Sequence, residues 1–90
     1  MEVFDLITKK QASDTMGIAT RTLEKLQEVH LAPTSVYVSE GKPMLPRREV
    51  HAVALARLKG ARAEEVRTLV ARLQAERDAL AAKLLTGVAA

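Results

Sequence analysis

The sequence contains no cysteine, no tryptophan, one phenylalanine and one tyrosine. Without cysteine there is no disulfide framework, no thiolate metal site and no thiol nucleophile. The two histidines, His30 and His51, stand far apart and lack metal-ligand spacing. No phosphate-cradling glycine loop, nucleophile–base set or carboxylate pair is visible, so neither an enzyme nor a cofactor is expected. No apolar run approaches the roughly 18 residues of a membrane span and no signal peptide is recognisable, so the expected compartment is the cytoplasm. With so few aromatics, a core must rest on Leu, Ile, Val and Met. Apolar residues make up 48% of the ninety, but alanine inflates that fraction and buries little area, so the core is expected to be thin. A net charge of +3 suits nucleic acid only weakly, and the positions of the basic residues carry more information than their number.

The chain is organised around residues 8–29, TKKQASDTMGIATRTLEKLQEV. Thr8 and Gln11 have the spacing of a capping box, which predicts a helix start. Ala12 and Met16 share one face, and Gly17 is placed to end the helix in a left-handed conformation. Thr20 is the expected cap of a second helix, better than Ala19 because its hydroxyl can accept a backbone N–H. Leu23, Leu26 and Val29 would face inward, leaving Arg21, Thr22, Lys25 and Gln27 outside. Ile7, just before the cap, and Phe4 are an apolar lead-in to the core. Helix, short glycine turn, helix is the arrangement that places a second helix in a DNA major groove.

Cations stand at the start of each predicted helix. Lys9 and Lys10 lie at the positive end of the first helix dipole, a small cost that a phosphate contact would explain. Arg21 sits likewise on the second helix. Arginine can bond guanine through two N–H groups, Thr20 and Thr22 can bond phosphate or touch a thymine methyl, and Lys25 can neutralise phosphate.

Pro33, Pro43 and Pro46 exclude a long helix across residues 30–46. The β-branched and aromatic run from Thr34 to Ser39, the turn Glu40-Gly41-Lys42-Pro43, and Met44-Leu45 predict a small hairpin, or wing. Lys42 at its tip could reach a phosphate or a minor groove, while Tyr37 is expected to pack under the wing. Pro46 suits the first turn of a third helix, with Arg47 and Arg48 as further phosphate candidates. Val50, Val53, Ala54, Leu55 and Leu58 are its expected core face, and His51 is expected to be a partly exposed structural residue. Lys59 and Gly60 mark an end or hinge.

Residues 61–85 predict one long amphipathic helix. Val66, Leu69 or Val70, Leu73, Leu80 and Leu84 form a roughly heptad seam, interrupted at Glu76 and Arg77. An apolar stripe of this kind must pack on something. It either folds back on its own domain or pairs with a second copy. Pairing is the expectation, because the N-terminal core is small and the polar break could set register.

The string from Lys9 to Leu23 resembles the DNA-binding segment of the MerR-like winged helix-turn-helix superfamily. It is similar to lambdoid phage small terminase subunits, excisionases and MerR regulators. Gly17, Ile18, Arg21, Thr22 and Leu23 fit the run that links the two helices there, and Arg47-Arg48-Glu49-Val50 is similar to the segment after the wing. Ser13 stands where many members have alanine, the wing lacks an arginine-rich strand, and the cysteine ligands of metal-sensing members are missing. The resemblance covers about residues 6–58. Together with the element pattern it implies a mainly α fold: a winged helix-turn-helix domain over residues 1–59 with a small β-hairpin wing, then, from the seam, a long C-terminal dimerisation helix over 60–90. The expected function is sequence-selective binding of double-stranded DNA as a homodimer, as a transcriptional regulator. A packaging, excision or segregation accessory with a protein partner is the alternative. So is an interaction module working through the C-terminal helix.

Overall fold

The computed structural model describes residues 5–89. It is mainly helical, with a small three-stranded antiparallel sheet and a long C-terminal helix. In chain order the elements are β1 (Leu6–Thr8), α1 (Lys9–Met16), α2 (Thr20–Glu28), β2 (Val36–Ser39), β3 (Lys42–Pro46), α3 (Arg47–Leu58) and α4 (Ala63–Ala89). The sheet order is β1-β3-β2.

Residues 6–8, expected only as an apolar lead-in, form a strand. Leu6 pairs with Pro46, Ile7 with Leu45 and Thr8 with Met44. Three residues suffice because the pairing puts the wholly buried Ile7 and Leu45 side by side in the core. Phe4 lies outside the described residues. The predicted hairpin is present, with Val36 opposite Met44, Tyr37 opposite Pro43 and a bulge before Ser39.

Three helices end alike. Gly17 closes α1 at φ 71°, while Gly17 N–H bonds Asp14 O and Ile18 N–H bonds Ser13 O. Gly60 does the same after α3, with Gly60 N–H on Arg57 O and Ala61 N–H on Ala56 O. After α2 the left-handed residue is His30, at φ 63°, with its N–H on Gln27 O and Leu31 N–H on Leu26 O. Each is the paired-bond closure that satisfies the last helical carbonyls. Because α2 stops at Glu28, Val29 turns outward, 45% exposed, where an inward position was expected.

Two small apolar clusters hold the chain together. Ile7, Ala12, Leu23, Ala32, Leu45 and Val50 form the first, with Met16, Ile18 and Leu26 against it. Val53, Val66, Val70 and Leu73 form the second, flanked by Met16, Leu31, Ala52, Ala61 and Leu69. The first half of α4 therefore folds back onto α3, so four positions of the expected dimer seam are packed inside the chain. The structure corrects the expected core face of α3. Val50 and Val53 are buried, but Leu55 is 52% and Leu58 84% exposed. Each lies five residues beyond a buried valine, which on a helix is about 140° around the axis. Pro46 is buried as the last residue of β3 and the N-cap of α3, one residue earlier than expected.

The break in the α4 seam also has its explanation inside the chain. Arg77 reaches Glu49 of α3 through Nε at 2.9 Å and Nη2 at 2.6 Å. Its Nη1 bonds the Thr34 hydroxyl and its Nη2 the Thr34 carbonyl, both at 3.0 Å. The Thr34 hydroxyl in turn donates to Gln74. The two charged side chains are only 13% and 6% exposed. A polar residue is tolerated on this stripe because four of its five guanidinium N–H groups find acceptors here.

Arg77→Ala leaves Glu49 buried without its cation, and a loss of about 3–5 kcal/mol is expected in urea denaturation. The double variant Glu49→Leu/Arg77→Met is expected to recover most of that loss, and failure to do so would show that the network acts through more than the ion pair. His30→Gly relieves a left-handed side-chain-bearing residue and is expected to add about 1 kcal/mol.

Candidate nucleic-acid interface

The outer face of α2 is set by what its inner face buries. Leu23 is wholly buried, and Leu26 packs half-buried on the first cluster. Arg21, Thr22, Glu24, Lys25 and Glu28 consequently face solvent. Arg21 and Lys25 are one turn apart on that face. Neither takes part in an ion pair among the described residues.

Several contacts fix this helix. The capping box at Thr8 and Gln11 forms as expected and starts α1. Ser13, buried, donates its hydroxyl to Lys10 O at 2.8 Å and lies 3.3 Å from the Thr20 hydroxyl. Thr20 is therefore half-buried against α1, and the expected cap role passes to Ala19, which has no side-chain acceptor. The first turn of α2 thus keeps backbone N–H groups without a side-chain cap, beside Arg21. At the other end Gln27, expected outside, turns in. Its Nε2 bonds Pro33 O at 2.9 Å and Ser35 Oγ at 3.0 Å, tying the last turn of α2 to the chain entering β2.

The remaining sequence-predicted cations divide by their partners. Lys9 pairs with Glu24 at 3.0 Å with its side chain only 22% exposed, so it clamps α1 to α2. Arg47 pairs with Asp5 at 2.7 Å, and its N–H bonds Asp5 O at 2.8 Å, which fastens β1 to the start of α3. Lys10 pairs with Asp14 at 2.8 Å, but both are well exposed, and such a pair holds only about 0–1 kcal/mol. Lys42 and Arg48 are exposed and have no ion pair among the described residues. Sequence spacing gave no sign of the Lys9–Glu24 or Arg47–Asp5 pairs, since each joins separate elements.

Tyr37 corrects another expectation. It is 66% exposed on β2, with Val38 at 58%. Strand alternation accounts for Tyr37: the half-buried Val36 occupies one face, so its neighbour takes the other. Val38 shares the face of Val36 yet is exposed, at the irregularity between Tyr37 and Ser39. The wing thus presents an aromatic and an aliphatic side chain to solvent, and period-two counting over 36–38 could have found the first.

Of the seam residues, Val66, Val70 and Leu73 are buried and Leu69 half-buried on the chain's own core, while Leu80 is half-buried and Leu84 exposed. Among the described residues no group of three or more His, Asp or Glu side chains could hold a metal ion. No described helix is long and apolar enough to cross a membrane. The arrangement offers a solvent-facing helix whose Arg21 and Lys25 have no ion pair among the described residues, together with an exposed hairpin; α2 packs on α1, and β3 of the hairpin on α1 and α3. Comparison with protein-family models, curated proteins and solved structures finds no match for this chain.

Lys9→Ala and Lys25→Ala separate clamp from contact. Lys9→Ala is expected to lower the thermal midpoint and leave the salt dependence of binding to a DNA duplex unchanged. Lys25→Ala is expected to do the reverse, reducing the log–log salt slope by about one.

Proposed function

We propose that the chain is a winged helix-turn-helix protein of the MerR-like kind that binds double-stranded DNA sequence-selectively. The observation that carries this reading is the division among its cations. Among the described residues Arg21 and Lys25 stand without carboxylate partners on the exposed face of α2, while Lys9 and Arg47 serve the fold. Arg21 is the base-reading residue, since its fork suits guanine, and Thr22 and Lys25 flank it on phosphate or base edges. Lys42 on the wing and Arg48 at the start of α3 are phosphate contacts. Lys10 joins them by exchanging Asp14 for phosphate, which a weak surface pair permits. The uncapped first turn of α2 adds partial positive charge where a phosphate can sit.

Two copies joined through the end of α4 would bind a two-fold site, with half-sites about one helical turn or a multiple apart. Occupancy of such a site suffices for transcriptional control in the cytoplasm, and needs no cofactor. An accessory role in packaging, excision or segregation has one observation in its favour. Leu84 and Leu85 remain exposed at the far end of α4, where another protein could bind.

Anisotropy on a randomised duplex pool at two salt concentrations, with sequencing of the bound fraction, tests the reading. An enriched inverted repeat and steep salt dependence are expected. Arg21→Ala is expected to cost about 1–3 kcal/mol on that site and to relax its base preference. Equal losses on every sequence would remove Arg21 from the base-reading role, and no binding at low salt would reject DNA as the partner.

A further inference from the structure

The exposed face of α2 carries carboxylates among its cations. Counting about 100° per residue from the buried Leu23, Glu24 lies near ~100°, Glu28 near ~140°, Arg21 near ~160° and Lys25 near ~200°. Glu24 therefore borders Arg21 on one side of the helix, three residues and about 4.5 Å further along the axis. Among the described residues Arg21, Lys25 and Glu28 have no ion pair. Glu24 differs from them. Its side chain is 51% exposed, yet Lys9 of α1, only 22% exposed, bonds its Oε2 at 3.0 Å. Among the described residues its other oxygen, Oε1, accepts no hydrogen bond.

We propose, on the DNA reading above, that Glu24 is a second base-reading residue, accepting a hydrogen bond from the N4 amine of a cytosine in the major groove, and that Lys9 is the positioning residue that holds it there. A free carboxylate brought against a duplex is repelled by the phosphates. The Lys9 ammonium offsets that charge, fixes the side chain from a neighbouring helix and leaves Oε1 open. An open carboxylate oxygen needs a donor, and the cytosine amine is the base-edge donor that Glu suits. Bases stack about 3.4 Å apart along a strand, so the offset from Arg21 directs Glu24 to a neighbouring base pair. Glu28 shares the face but is the last residue of α2, whereas a helix of this kind meets base edges with its N-terminal residues. No cation among the described residues holds it, so it serves as the internal comparison.

The full chain and its variants Glu24→Ala, Glu24→Gln, Glu28→Ala and Lys9→Ala are each put through selection on the randomised duplex pool. The wild type is expected to choose a cytosine beside the guanine that depends on Arg21, and to lose about tenfold in affinity when that cytosine is replaced. Glu24→Ala is expected to bind all four bases there nearly alike. Glu24→Gln is expected to move the choice to adenine, whose N6 and N7 suit an amide. Lys9→Ala is expected to weaken the cytosine choice and keep the guanine, and Glu28→Ala to keep both. A pair that only clamped α1 to α2 would lower the thermal midpoint when broken and move no base choice. Unchanged choices in both Glu24 variants, or the same change in Glu28→Ala, would overturn the proposal while the retained guanine upheld the DNA reading. A wild type that binds no duplex at low salt, or binds without any choice of sequence, would overturn both.

Discussion

The contact between Arg77 and Glu49 is the constraint on which the architecture turns. Two charges leave water together, and the cost of removing them is offset because the guanidinium makes four hydrogen bonds to carboxylate, hydroxyl and carbonyl. Among the described residues no buried side-chain nitrogen or oxygen lacks a partner. Three segments meet at this point: α3 through Glu49, α4 through Arg77 and Gln74, and the strand-entry loop through Thr34. Gln27 binds the same loop from α2. The line of α4, the base of the wing and the end of the exposed helix are therefore fixed against one another.

The apolar clusters alone would not give that definition. Among the described residues they are built mainly from valine, leucine and alanine, with no aromatic side chain in either. Such side chains bury modest areas each, so the packing supplies cohesion while the polar junction supplies direction. The short strand β1 and the paired-bond helix endings work the same way. Each satisfies backbone groups at a place where a thin core could not afford to leave them unpaired.

The same reasoning orders the basic residues. A partly buried lysine with a carboxylate in reach is part of the fold, whereas an exposed one with no partner keeps its charge available to an external anion. Among the described residues the second kind comprises Arg21 and Lys25 on α2, Lys42 on the hairpin and Arg48 at the start of α3, and also Arg57, Lys59, Arg62 and Lys83 away from that face. The proposed DNA contact surface is the subset that α2, the hairpin and the start of α3 carry, without Lys9 and Arg47.

Much of this was legible in the residues. The capping box at Thr8 and Gln11, the glycine closure at Gly17, the hairpin and the long last helix are local patterns, determined by backbone preferences and by spacing within a few residues. The inward side of α2 at Leu23 followed from period alone. Tertiary structure decided everything that depends on a partner distant in sequence. It made a strand of residues 6–8, because an unpaired edge of β3 lay beside them. It turned Lys9 and Arg47 into clamps by bringing Glu24 and Asp5 within reach. It folded the first half of α4 back onto α3, because Val53 presents an apolar surface to it and Glu49 a carboxylate to Arg77. A heptad stripe states that a helix must be covered, but its period is the same whether the cover is the chain's own core or another copy. Only the three-dimensional packing distinguishes the two.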